Sequence, residues 1–163
     1  VYPEHLRNSV LFRLLLDTGL RISEALSLKI SDINSNDKSI LVTETKSKSE
    51  RVVFFTEATE IVLNKHIIRN NITDLIFIDL KTRKILKLDR VQKICQNLQK
   101  TLNIQKSITP HKWRHTFATS FTNHNGNLEV LKKLMGHQSI LTTQRYLHVN
   151  TQKLRDEYYR IYK

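Results

Sequence analysis

Three glycines and two prolines in 163 residues leave this chain few places where a helix must stop. A chain so poor in breakers is expected to fold mainly as helices, and the breakers it does have become boundary markers. Gly19 closes the run PEHLRNSVLFRLLLDTG, in which Leu6, Val10 and Leu14 recur at helical spacing. Pro110 opens TPHKWRHTFATSFTNHN, with Thr109 as the expected N-cap. Gly136 ends LEVLKKLMG.

Between these markers the pattern continues. RISEALSLK reads as a short second helix, and SDINSNDKS as a polar turn cluster. The runs ILVTET and RVVFFT, either side of the charged KSKSE, are the one clear β-hairpin. ATEIVLNKHIIRN returns to helical spacing, and DLIFID is a short strand or a buried connector. LDRVQKICQNLQKTLN is helical, with Val91, Ile94, Leu98 and Leu102 on one face. ILTTQRYLHV, after Ser139 as N-cap, and the basic amphipathic TQKLRDEYYRIYK are further helices. No repeat, low-complexity tract or linker divides the chain. The expected architecture is α+β: mainly α with a small antiparallel β-sheet, in one domain over residues 1–163. The chain opens on Val1 rather than Met, so it is read as an excerpt of a longer protein.

Charge narrows the partner. Lys plus Arg is 27 and Asp plus Glu is 15, a net charge of +12, which for a small domain points first to nucleic acid. The longest apolar run, VLFRLLL, is interrupted by Arg13 and is far too short to span a bilayer. Cys95 is the single cysteine, so neither an internal disulfide nor a Cys-based zinc site can form; it is expected to be a buried thiol in a reducing compartment.

Several residues then suggest chemistry. His111 and Arg114 sit one turn apart at a helix start, where free N–H groups and the positive dipole end favour an anion. No acidic residue occurs between Asp89 and Glu129 to neutralise Arg114 locally. Arg21 directly follows a helix-ending turn, with Glu24 one turn on to hold its guanidinium. Lys46 and Lys48 stand at the hairpin tip, and MGHQSILTTQRY brings His137 and Tyr146. Each has an ordinary reading as a surface ion pair, a solvated charge or a packed aromatic. Together they match what phosphoryl transfer requires: forked guanidinium donors for the non-bridging oxygens, a proton donor for the leaving oxygen, and a phenol as nucleophile. No dense Asp/Glu cluster is present to hold Mg²⁺, and neither a metal nor a cofactor is expected.

At this point the sequence resembles the catalytic domain of the tyrosine recombinase, or phage integrase, family over nearly its whole length. TGLRISEAL is similar to the segment with the family's first arginine, which gives Arg21 that role. TKSKSERVVFF resembles the family's hairpin; counting back from Arg51 aligns Lys46 with the catalytic lysine, with Lys48 as the alternative. HKWRHTFAT resembles the His-x-x-Arg box and gives His111 and Arg114, with Trp113 where Leu is commoner. LMGHQSILTTQRYLHV resembles the closing box and gives His137 and Tyr146. Lys46, Lys48, Arg51 and Lys112 are the cations expected to face DNA.

The resemblance implies the tyrosine recombinase catalytic-domain fold and a site-specific recombinase acting on double-stranded DNA through a 3′-phosphotyrosine. Arg21, Arg114, His111 and His137 would stabilise the transition state, and Lys46 would protonate the leaving 5′-oxygen. It further implies a homo-tetramer on two duplexes, weakly associated or monomeric without DNA, in the cytoplasm with the nucleoid and away from membranes. An amino-terminal DNA-binding domain is expected outside this chain. Three alternatives stand beside it: a type IB topoisomerase, a catalytically lapsed DNA-binding module, and a basic RNA-associated protein. The last helix is expected to dock either on its own domain or on a neighbouring protomer.

Overall fold

The structure is a computed structural model that describes residues 3–44, 49–136 and 151–162. Its centre is the first helix, α1 (Pro3–Thr18), which buries Leu6, Val10, Leu11, Leu14 and Leu15. The hydroxyl of Thr18 donates back to Leu14 O at 2.6 Å and accepts from Leu20 N at 3.3 Å, and Gly19 turns the chain at φ +64°. A Cβ on Gly19 would stand 2.3 Å from Cδ1 of Phe117, so this glycine serves both the turn and the close approach of a later helix. The short α2 (Ile22–Leu26) follows.

A three-residue 3₁₀ turn at Ile30–Asp32 leads into the sheet, β1 (Ile33–Asn34), β2 (Ser39–Glu44) and β3 (Ser49–Phe54), antiparallel in that order. The expected hairpin is β2–β3, in register from Ser39 opposite Phe54 to Glu44 opposite Ser49. Strand alternation sends Ile40 and Val42 inward while Leu41 and Thr43 face out. The third strand, β1, was not expected; it is two residues long and comes from the polar turn cluster.

α3 (Glu57–Arg69) starts at Thr56, whose backbone N–H and hydroxyl both donate to Asp17 of α1, at 2.9 and 2.7 Å. The segment DLIFID is the buried connector: Ile76, Phe77 and Ile78 are buried, and only single bridges join it to Lys29 and Ile85. On α4 (Leu88–Thr101) the buried residues are Val91 and Cys95, while Leu102 is 57% exposed. Of the expected apolar face, Val91 is buried and Ile94 and Leu98 are half-buried, whereas Leu102 is the cap residue beyond the last turn and stays outside. Cys95 is buried as expected, and burial pushes its thiol pKa up.

α5 (Pro110–Asn123) packs along α1 on Phe117 and Phe121, and α6 (Leu128–Met135) runs from the Asn127 cap to Gly136 at φ +63°. α7 (Thr151–Ile161) docks on its own domain. Tyr158 is fully buried, Tyr159 Oη donates to Phe55 O at 3.1 Å, and the Tyr162 ring lies 6.1 Å from that of Phe117 at 11°. Glu157 accepts from Asn127 N at 2.9 Å; the Arg160 hydrogen bond and this one hold its carboxyl down at about 2. Among the described residues no helix is long and apolar enough to cross a membrane. The expected α+β class, mainly helical with a small antiparallel sheet, is the observed one.

Candidate active site

Two turns about ninety residues apart in sequence meet at one cavity. Leu20, Arg21 and Ile22, at the start of α2, face Pro110, His111 and Arg114, at the start of α5, across a space of about 330 Å³. The two ends meet because α1, which leads into α2, packs against α5, with the bare backbone of Gly19 admitting Phe117.

Arg21 is held by the first turn of α2. Its backbone N–H donates to Glu24 Oε2 at 2.7 Å and its Nη1 to Glu24 Oε1 at 2.9 Å, while Nη2 reaches Gly136 O at 3.3 Å. The Glu24 partner foreseen one turn on is thus present, and 39% of the Arg21 side chain stays exposed.

Arg114 is held differently. Only 7% exposed, it donates from Nη1 to Gly19 O and from Nη2 to Met135 O. Its hydrogen-bond partners are neutral carbonyls, so they orient the fork without cancelling its charge. Burial, and then the charge of Arg21, lower its pKa to about 10, which leaves it cationic at neutral pH. His111, one turn earlier on α5, is exposed at the cavity rim. Thr109 occupies the cap position with extended dihedrals, φ −134° and ψ 155°, but its side chain makes no capping hydrogen bond. Trp113 turns away and stacks on Phe12 at 4.8 Å and 13°, which fastens α5 to α1 between the two cavity residues.

Glu24 is the centre of the charge network. Besides Arg21 it takes a two-point hydrogen bond from Arg51, Nη1 to Oε1 at 2.9 Å and Nη2 to Oε2 at 2.7 Å. Burial alone would raise its pKa, but the hydrogen bonds and charge of Arg51, with those of Arg21, bring it below the ordinary value. Arg51, expected among the DNA-facing cations, is therefore turned inward: its side chain is 13% exposed and its Nε donates to Leu134 O at 2.9 Å. Lys112 is exposed, with Nζ donating to Ser107 Oγ at 2.7 Å. Lys46, Lys48, His137 and Tyr146, and the helix expected after Ser139, lie outside the described residues.

A larger groove, about 430 Å³, follows the outer face of α5 from His115 to His124, but hydroxyls, an amide and imidazoles line it. The guanidiniums gather at the smaller cavity, which suits an oxyanion. Among the described residues no group of three His, Cys, Asp or Glu side chains could hold a metal ion. Sequence reading missed the inward course of Arg51. Alternation along β3 could not have found it, since Val53 and Phe54, on opposite faces, are both buried; the hairpin register, which sets Arg51 opposite the buried Val42, shows the face.

The sequence profile of the phage integrase family matches residues 2–153. Tyrosine recombinase XerA of Saccharolobus solfataricus is 40% identical over 152 residues, which are 93% of this chain and 49% of that protein. Among solved structures, the crystal structure of XerA recombinase superimposes with a TM-score of 0.76 at 30% identity, over 96% of this chain and 58% of the other. The XerH site-specific recombinase in a post-cleavage complex with palindromic difH substrate gives 0.73 at 26% identity, over 96% and 46%. The chain spans about half the length of the curated relatives it matches.

Proposed function

The chain belongs to the phage integrase family, and from that premise we propose that residues 1–163 are the catalytic domain of a site-specific recombinase that cuts and rejoins double-stranded DNA through a 3′-phosphotyrosine. One observation carries the reading: Arg21 and Arg114, brought from distant helices, converge with His111 on a single cavity. Two guanidiniums there bind the non-bridging oxygens of a phosphodiester, and their hold tightens as charge grows on those oxygens in the transition state. Tyr146 attacks the phosphorus, and the 5′-oxygen leaves with a proton from Lys46, with Lys48 as the alternative donor. The phosphotyrosine retains the energy of the broken bond, so attack by a 5′-hydroxyl reseals the strand. His137, one residue beyond the Gly136 carbonyl that Arg21 binds, joins His111 at the phosphate.

The tyrosines support this assignment. Tyr158, Tyr159 and Tyr162 are committed to packing, and burial raises the pKa of each phenol, which disfavours the phenolate a nucleophile needs. Lys46, Lys48 and Lys112 are the proposed DNA contacts. Four protomers on two duplexes, assembling on DNA in the cytoplasm with the nucleoid, complete the reading. The recombinase names of the relatives favour strand exchange over the relaxation of a topoisomerase. A nicked suicide substrate tests the chemistry. Wild type is expected to form a covalent adduct at Tyr146, and Tyr146→Phe to bind DNA without forming one. An adduct that persists in Tyr146→Phe rejects the assignment.

A further inference from the structure

Three successive carbonyls at the end of α6 each accept a hydrogen bond from a different arginine: Leu134 O from Arg51, Met135 O from Arg114 and Gly136 O from Arg21. A helix C-terminus is the negative end of its dipole, so it gathers cations without a carboxylate. Two of the three arginines line the cavity. The third does not, and its own placement explains why it is there.

We propose that Arg51 is a positioning residue for the cleavage chemistry, holding Arg21 through Glu24 and the last turn of α6 through Leu134. Arg51 lies on the inward face of β3 with Val53, opposite the buried Val42 in the hairpin register. Its fork matches both oxygens of Glu24, and those oxygens also fix the backbone and the Nη1 of Arg21. The Gly136 backbone closes over the guanidinium: a Cβ there would stand 3.0 Å from Arg51 Nη1. Arg51 thus ties the strand that leaves the hairpin to the helix end that leads into His137, and it passes the constraint to Arg21. It has a second effect, on charge. With Arg51 present, Glu24 shares its charge between two guanidiniums; without it, the whole carboxylate falls on Arg21 and weakens that residue's field at the phosphate.

The inference rests on the recombinase reading above, and the experiment keeps the two apart. In the full-length protein, covalent adduct formation on a nicked suicide substrate is timed at saturating DNA, with DNA affinity and thermal melting measured in parallel. Arg51→Ala is expected to slow adduct formation about tenfold to a hundredfold, the range known for removing partners that orient metal ligands, with DNA affinity unchanged. Arg51→Lys, which keeps the charge but not the fork, should fall between. If Arg51→Ala does not fold, Arg51→Lys carries the test alone. It should bind DNA as wild type does and cleave slowly. A wild-type cleavage rate in the folded variant overturns the inference, and so does a loss of DNA affinity large enough to account for the slower cleavage. An adduct that survives Tyr146→Phe in the same assay rejects the recombinase reading instead.

Discussion

At the scale of single residues, the two cavity arginines differ in how they are held. Arg21 is pinned by a carboxylate and stays partly exposed, whereas Arg114 is buried and oriented by two carbonyls from different elements. Lysine cannot replace Arg114, since one ammonium does not span Gly19 O and Met135 O while presenting donors to a phosphate. Arg114→Lys is therefore expected to bind DNA normally and lose cleavage on the order of a hundredfold, as for other single transition-state donors. Single-turnover kinetics on the suicide substrate reads this, and a wild-type rate would show that charge alone suffices. That Arg114 lacks a nearby carboxylate was legible in the sequence, from the empty stretch between Asp89 and Glu129. Its carbonyl partners were not, because they lie 95 and 21 residues away.

At the scale of elements, α7 settles onto its own domain by an aromatic cluster. Tyr158 meets Phe54 at 5.8 Å and Tyr162 at 4.9 Å, and Leu154 and Ile161 pack at the margin. Among the described residues the Tyr158 hydroxyl is buried without a hydrogen-bond partner. A buried, unpaired hydroxyl costs about 1–3 kcal/mol, so removing it while keeping the ring should stabilise the protein. Tyr158→Phe is expected to raise the unfolding free energy by about 1 kcal/mol, read from the midpoint shift in a denaturant titration. A destabilised Tyr158→Phe would mean that the hydroxyl has a partner in solution. The sequence showed an apolar face on this helix but left its target open, since an amphipathic stripe packs equally well on either of two hydrophobic surfaces. Leu102 of α4's expected stripe is a smaller case: periodicity extends the stripe to it, but the helix ends at Thr101 and leaves it exposed at the cap.

At the scale of the whole molecule, the net charge of +12 surrounds a site that is itself built of guanidiniums. The carboxylate hydrogen-bonded to Arg21, that of Glu24, divides its charge between two arginines. DNA affinity should then come chiefly from phosphate contacts and counterion release. A face making about six to ten such contacts loses roughly 10³–10⁵ in affinity between about 50 and 200 mM salt. Fluorescence anisotropy with random-sequence duplex is expected to show a steep log–log salt slope of this kind. A flat slope would count against a phosphate-tracking surface.

By itself the sequence determined the helix-rich class, through its scarcity of breakers, and the hairpin, through two β-branched runs about a charged turn. It determined as well that arginines and a histidine stand at turns and helix starts, where local geometry alone projects a side chain. Only the tertiary structure decided which of those residues share a cavity and which way Arg51 faces. Arg51 is the clearest instance: as a charge beside a hairpin it belonged with the DNA contacts, and as a side chain on the buried face of β3 it belongs to Glu24. The reason is physical. Charge is a property of the residue, but the partner of a charge is set by long-range packing, which here brings β3, α2 and the end of α6 within reach of one guanidinium.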